Sequence, residues 1–233
     1  MHNLSRRHGK SKFYTELAYL FGLIAIALGT AFIDQAEFGV AMPLVSAHVV
    51  HGLLHHYHWI TLGMIEVAFQ AVLFVILVVV CREIKRPFFI SMATGVLYAG
   101  LLDLFIVLLR LLPHTIYVRI IFFILGFFIF AAGEMLLHYT YVQSEFYEFF
   151  CHELTERYHL NFYRVKFIFE ASLCLLGIVI SLIFYGIEAV HGLGIGTLIC
   201  ALFTIKTSRL FGKLWLKSHY FTDRFNIRKY FRE

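Results

Sequence analysis

The chain has 233 residues, of which 60% are hydrophobic and 15% are charged, and its formal net charge is +5. This balance excludes an ordinary soluble domain of the same length and indicates an integral membrane protein. The positive charge is accounted for by loops and a basic tail beside the apolar segments, so it does not indicate a nucleic-acid partner.

Six apolar runs are long enough, or nearly so, to cross a hydrocarbon core about 30 Å thick as helices of roughly 20 residues. They lie at about 17–34, 60–81, 88–110, 116–138, 166–186 and 192–211. The first run follows a basic stretch, as in a signal peptide, but no small-residue cleavage pattern precedes the DQAEF that follows it. We therefore interpret it as a retained span. The sequence predicts an all-α, polytopic membrane helix bundle with about six spans.

Between the first and second spans lies a histidine-rich segment, SAHVVHGLLHHYHW, at residues 46–59. Pro43 predicts the first turn of a helix running to about residue 56. On such a helix four histidines form one stripe: His48, His51, His55 and His58. Neutral imidazoles at this spacing can hold Zn²⁺, so His48, His51 and His55 are a candidate metal site. An interfacial amphipathic or re-entrant helix is the interpretation we favour, because Asp34 and Glu37 are the only carboxylates near in sequence.

Polar side chains inside the spans are the best candidates for a substrate site. An ionisable group there costs about 2.5–3.5 kcal/mol on insertion scales, so it usually faces a cavity or a partner. Glu66 and Gln70 are four residues apart on one face of the second span, and Glu170 lies in the corresponding part of the fifth. We predict that these three residues bind substrate near the bilayer midplane. The alternative is a buried hydrogen-bonded pair that holds the two halves of the bundle together.

Glu134 and His138 are likewise four residues apart, near the end of the fourth span. They are candidates for a proton relay, and the alternative is contact with lipid headgroups. After the last span, residues 211–233 alternate basic and aromatic side chains, which is typical of anchoring to anionic headgroups.

Enzyme and cofactor signals are absent from the sequence. It contains no Gly-rich phosphate loop, nucleophile elbow or HExxH helix, so we expect neither catalysis nor a cofactor. The four cysteines lack CxxC spacing, and we interpret them as packed apolar residues: Cys81, Cys151, Cys174 and Cys200.

The distribution of lysine and arginine predicts the orientation. With both termini in the cytoplasm, that side receives Arg6, Arg7, Lys10, Lys12, Arg82, Lys85, Arg86, Arg157, Arg164, Lys166 and the cations from Lys206 onward. Only Arg110 and Arg119 remain outside. This asymmetry is the positive-inside pattern, so we expect a multi-pass protein of the cytoplasmic membrane with cytoplasmic N and C termini.

The chain also resembles itself at an offset of 100 residues. FQAVLFVILVVV (69–80) aligns without a gap with FEASLCLLGIVI (169–180), and the three spans of each half follow in the same order. We divide the chain into a basic N-terminus (1–16), two three-span repeats (17–111 and 116–212) and a tail (213–233). Because each repeat has an odd number of spans, the second must enter the membrane from the opposite side. The sequence therefore predicts two inverted-topology three-helix repeats.

Three motifs carry a resemblance to known proteins: AEFGVAMP (36–43), ITLG (60–63) and GLGIGTLICALF (192–203). They resemble the YczE/YyaS/YitT-type bacterial integral membrane proteins, although FISM replaces the GIGT-type start in the first half. The resemblance implies a duplicated bacterial protein of the cytoplasmic membrane, and it implies no substrate.

Inverted repeats recur in secondary transporters, whose sites lie where the repeats meet. The leading hypothesis is a small secondary transporter or exporter-like carrier, with membrane lipids and an unknown small molecule or ion as its partners. The alternative is a non-transporting regulatory or scaffold protein that binds a protein or lipid through the loop at 139–165 and the tail. The sequence gives no indication of oligomeric state.

Overall fold

The computed structural model describes residues 11–113, 115–142, 144–186 and 193–224. In these ranges the chain forms eight α-helices, a 3₁₀ turn (Met42–Leu44) and two short strands. The helices are α1 Thr15–Ala36, α2 Val45–Leu53, α3 Leu62–Cys81, α4 Arg86–Leu109, α5 Ile116–His138, α6 Phe146–Tyr158, α7 Phe162–Tyr185 and α8 Ile195–Ser218. The strands are β1 Ser11–Tyr14 and β2 His219–Thr222.

Six of these helices are long and apolar enough to cross a membrane: α1, α3, α4, α5, α7 and α8. Their outward faces carry large apolar side chains, such as Val79 at 68% exposure and Ile183 at 71%. Exposed apolar surface on this scale is unfavourable in water and suited to lipid. The predicted six-span helical bundle is therefore confirmed, and the chain is a multi-pass membrane protein.

Helices α1 and α5 form the closest contact in the bundle. A Cβ atom on Gly29 would lie 2.5 Å from the backbone nitrogen of Phe130 and 2.8 Å from the carbonyl oxygen of Gly126. One on Gly133 would lie 2.9 Å from the carbonyl oxygen of Gly22. Since Gly22 meets Gly133 and Gly29 meets Gly126, the two helices run antiparallel. Small residues let helix backbones approach in lipid, where burial of apolar side chains gives little driving force.

A short helix follows the first span of each half. The first, α2, packs on α7, where Gly177 leaves room for the backbone of Val45 and Ser46, and Ser46 Oγ donates a hydrogen bond to the Leu173 carbonyl. Four residues of α2 are buried, so this helix lies inside the bundle and not on its surface.

The second short helix, α6, lies in the segment 139–165 that the sequence analysis treats as a loop. Its buried aromatic residues, including Phe146 and Phe149, pack against Leu77 of α3 and Phe88 of α4. Three of its first six residues are phenylalanine and all six are buried, whereas the rest of the helix is more exposed.

The two ends of the described chain meet at one end of the bundle. Strands β1 and β2 pair in parallel, with Ser11 opposite His219 and Tyr14 opposite Thr222. We call this end, which also carries the α3–α4 turn and residues 139–161, the terminal face, and we call the other end, with residues 37–61, the distal face. The strand pair is the one departure from the all-α prediction within the described ranges, and residues 225–233 of the predicted tail lie outside them.

Replacing Gly29 by Ala should destabilise the protein, because the added methyl group overlaps backbone atoms of α5 that no rotamer change can move. Overpacking of this kind typically costs about 1–3 kcal/mol, which corresponds to roughly 2–12 °C in unfolding temperature for a chain of this size. Gly100→Ala is the matched control, since nothing lies within 4 Å of its added Cβ. Thermal unfolding in detergent measures both, and equal unfolding temperatures would contradict the α1–α5 contact.

Candidate functional site: an acid-rich cavity between the two halves

A small cavity of about 40 Å³ lies where residues 41–43, at the turn before α2, meet α5, α6, α7 and α8. We call it the inner cavity. Its polar lining comprises Glu134, Glu145, Tyr147, Glu148, Lys166, Glu170 and Thr204. Its apolar lining includes Met42, Pro43, Phe130, Phe169, Cys151 and Cys200. This volume accommodates an ion or a few water molecules.

Lys166 is the charged centre of the inner cavity. Its Nζ lies 2.8 Å from Glu134 Oε1 and 3.8 Å from Glu170 Oε1, and the exposed fractions of these side chains are only 12%, 12% and 19%. Lys166 and Glu170 are one helical turn apart on α7, so the helix itself holds both in the cavity wall. Burying an ammonium group is costly unless carboxylates of this kind neutralise it.

The lining of the inner cavity contains more negative than positive charge. It has four glutamates, Glu134, Glu145, Glu148 and Glu170, and one lysine, Lys166, which gives a formal charge of 1 − 4 = −3 if all are ionised. A small, largely enclosed space does not hold this excess without compensation. Bound protons or a cation would compensate this excess.

Glu145 lines the inner cavity, and the sequence analysis did not identify it as a candidate. It immediately precedes α6, and its Oε2 is buried without a hydrogen-bond partner among the described residues. Burial, and then the negative charges of Glu66 and Glu148, raise the pKa of Glu145 to about 8. This carboxyl can therefore bind and release a proton near neutral pH.

Glu66 and Gln70 lie behind the cavity wall. Both side chains are fully buried. The amide of Gln70 has no hydrogen-bond partner in the described part of the chain, whereas the carboxyl of Glu66 interacts with Tyr147. Gly95 of α4 makes room for Gln70, because a Cβ there would overlap the amide oxygen at 1.7 Å. Tyr147 separates Glu66 from the cavity, and burial together with the charge of Glu66 raises the pKa of Tyr147 well above its ordinary value.

The depths of the predicted residues agree with a site near the middle of the bundle. Gln70 is the ninth residue of α3 and Glu170 is the ninth of α7. With a rise of about 1.5 Å per residue, each lies about 12 Å along its helix. The structure thus brings Glu170 into the cavity wall and places Glu66 and Gln70 one layer behind it.

A second cavity of about 280 Å³ lies beside the inner one, on the side of the terminal face. We call it the mouth. It shares Glu134, Glu148 and Lys166 with the inner cavity and is also lined by His138 and Arg209. Both residues of the predicted proton relay, Glu134 and His138, therefore line the mouth. Lys166, which the sequence analysis counts among the cytoplasmic cations at the start of the fifth span, lies one turn inside α7, because that helix begins four residues earlier than predicted.

Three histidines of the predicted stripe, His51, His55 and His58, line a third cavity of about 300 Å³ at the distal face. Their ligand atoms do not form a group within 4.8 Å of one another in the described ranges. Helix α2 ends at Leu53, so His55 lies beyond the predicted stripe, and its Nδ1 lies 2.9 Å from the Gly52 carbonyl. His48 Nδ1 lies 3.0 Å from Asp34 Oδ1. Burial, and then the proximity of His48, lower the pKa of His51. In the described ranges, the three side chains that offer ligand atoms within 4.8 Å of one another are instead His138, Glu148 and His152.

Replacing Glu145 by Gln should stabilise the protein at alkaline pH. A carboxyl whose pKa is higher in the folded than in the unfolded chain contributes stability at low pH. For Glu145 this contribution to the free energy of unfolding is lost as the pH rises from about 4.5 to about 8. Glu145→Gln should therefore unfold at a higher temperature than wild type at pH 8, with a difference that shrinks towards pH 5. Thermal unfolding across this range, with the exposed Glu83→Gln as control, provides the measurement. A Gln variant that is less stable at pH 8 would contradict the assignment.

Comparison with known proteins gives a family and no activity. No curated protein and no solved structure matches this chain. A family model described as a family of unknown function, DUF6198, matches residues 13–213, and nothing in that match connects it to the YczE/YyaS/YitT names. The match covers every membrane-spanning helix apart from the last residues of α8 and includes all residues that line the two cavities. The chain therefore belongs to the DUF6198 family.

Proposed function

We propose that this protein is a small secondary transporter, exporter-like in organisation, that moves a cation through the inner cavity. The observation that carries the proposal is the lining of that cavity, where four glutamates accompany one buried lysine, all from the second half of the bundle, and residues 41–43 of the first half complete the wall. Buried acidic groups within a membrane bundle are expensive, and in transporters they typically mark ion or proton pathways.

The arrangement of helices supports an inverted repeat. Each half contains a long helix, a short helix and two further long helices. The glycines at the α1–α5 contact have the same spacing in both halves, because 29 − 22 and 133 − 126 both equal 7. Since α1 and α5 run antiparallel, the halves would be related by an axis in the membrane plane. Rocking of one half against the other would then expose the inner cavity to each side in turn.

Lys166 gives this cavity a means of coupling. In the observed arrangement its ammonium group neutralises Glu134 and Glu170, which is the role that a bound cation would take. A cation that enters from the mouth would compete with Lys166 for these two carboxylates. Glu145 would supply the proton exchanged for it, because the pKa of this carboxyl is raised to about 8.

The orientation in the membrane follows from the charges at the two faces. In the described ranges the terminal face carries Lys12, Arg82, Lys85, Arg86, Arg157, Lys213 and Lys217, whereas Arg110 and Arg119 lie near the distal face. By the positive-inside rule, this distribution supports an orientation in which the terminal face, and with it the mouth, faces the cytoplasm.

A cysteine introduced at Ser218, which is exposed beside β2, should react with a membrane-impermeant maleimide only after the cells are permeabilised. A cysteine at Leu111, 80% exposed at the opposite end of α4, is the matched control and should react in intact cells. Labelling of Ser218→Cys in intact cells would contradict the orientation.

The transport test uses proteoliposomes that contain a pH-sensitive dye and are challenged in turn with Na⁺, K⁺ and the organic cation ethidium. Wild-type protein should release or take up protons in exchange for at least one of them. Glu170→Gln should abolish this flux, because it removes a carboxylate from the cavity while keeping its shape, and Glu170→Asp should retain part of it.

The matched control for this test is Glu83→Gln, which makes the same change of charge at an exposed position of the α3–α4 turn and should leave the flux unaltered. A fully active Glu170→Gln variant would remove Glu170 from the mechanism. Absence of flux with all three cations in the wild type would contradict a cation carrier and favour the non-transporting scaffold.

A further inference from the structure

Three metal-ligating side chains lie together at the terminal face. His138, Glu148 and His152 each offer one ligand atom, and these atoms lie within 4.8 Å of one another. They come from two different helices that meet there, since His138 is the last residue of α5 and the other two belong to α6.

Packing fixes the orientation of two of these side chains. Glu148 and His152 are four residues apart, so they occupy the same face of α6. The His152 ring stacks on Phe162, with centroids 4.1 Å apart and an interplanar angle of 21°. It is also nearly parallel to the His138 ring, at 26° and 6.4 Å. Stacking against these two rings therefore fixes the orientation of the His152 side chain.

Two imidazoles and one carboxylate are the ligands of a borderline divalent metal. Zn²⁺ sites that keep an open position commonly use three protein ligands of these types at about 2.0–2.2 Å, with water in the fourth position. Mg²⁺ and Ca²⁺ prefer oxygen ligands alone.

Zn²⁺ binding requires the three ligand atoms to move closer together. Ligand atoms around a tetrahedral Zn²⁺ ion are about 3.3–3.6 Å apart, given bonds of about 2.0–2.2 Å. The three atoms here lie within 4.8 Å of one another, so the longest separation exceeds the tetrahedral distance by at most about 1.5 Å. His138 is exposed, so rotation of its side chain can close the difference without disturbing the buried Glu148.

We propose that His138, Glu148 and His152 bind a divalent first-row transition metal ion of the Zn²⁺ type, with water completing its coordination. The site stands independently of the transport proposal, because its ligands and geometry do not require movement of any substrate. Glu148 also lines both the mouth and the inner cavity, so a bound metal would lie at the passage between them.

The test is calorimetric titration of the purified full-length protein with ZnCl₂ and separately with MgCl₂. One Zn²⁺ per chain and no Mg²⁺ should bind. His138→Ala and His152→Ala should each weaken Zn²⁺ binding by more than the roughly 10–100-fold that loss of an outer-sphere partner costs. Because His138 is exposed at the end of its helix, His138→Ala should fold normally, which unfolding temperature and gel filtration can verify.

The matched control is the triple variant His48→Gln, His51→Gln and His55→Gln, which removes the same type of ligand from the distal face. It should fold and retain full Zn²⁺ binding. Co²⁺ provides a second readout, because its visible absorption should appear on binding to wild type and diminish in His152→Ala. The proposal is overturned if no stoichiometric Zn²⁺ binds, if folded His138→Ala and His152→Ala bind it unchanged, or if the distal triple variant abolishes it.

Discussion

The backbone contact between α1 and α5 is the constraint on which the rest of this structure depends. Lipid is as apolar as a leucine side chain, so the two halves cannot be held together by burial of apolar surface alone. Glycines at 22, 29, 126 and 133 allow main chain to meet main chain across the contact. This contact fixes α5 antiparallel to α1 and leaves the starts of α2 and α6 directed towards a shared space.

The chemistry of that space follows from the elements that surround it. Glu145 and Glu148 stand at the start of α6, where the helix dipole favours negative charge, and α7 supplies Lys166 together with Glu170. At the mouth, His138 ends α5 and faces Glu148. At the other end of the bundle, Asp34 of α1 pairs with His48 of α2. Each end of the bundle therefore combines a histidine and a carboxylate from a long helix and the short helix that follows it.

Hydropathy predicted the elements that depend on long local patterns of apolar residues. It did not predict the elements and contacts that depend on packing between residues far apart in sequence. All six spans and the helix after Pro43 could be predicted, because apolar runs and a proline at a first turn are visible in sequence, and Glu170 was singled out as an isolated charge within a span. Helix α6 was missed because its polar second half resembles a loop, although three phenylalanines among its first six residues were an available signal. Lys166 was counted only as a cytoplasmic cation, because only the folded structure shows how it packs between Glu134 and Glu170. The β1–β2 pairing joins residues about 200 positions apart, which no local pattern indicates.

Access to the inner cavity from both faces is the central requirement of a carrier, and a native cysteine can measure it. Cys200 lines that cavity, whereas Cys81 and Cys174 do not. A variant that keeps Cys200 and replaces the other three cysteines would be reconstituted in liposomes of known orientation and treated with a small impermeant thiol reagent from one side at a time. Alternating access predicts reaction from the terminal face and, at a slower rate, from the distal face. Reaction from one face alone, or from neither, would contradict it.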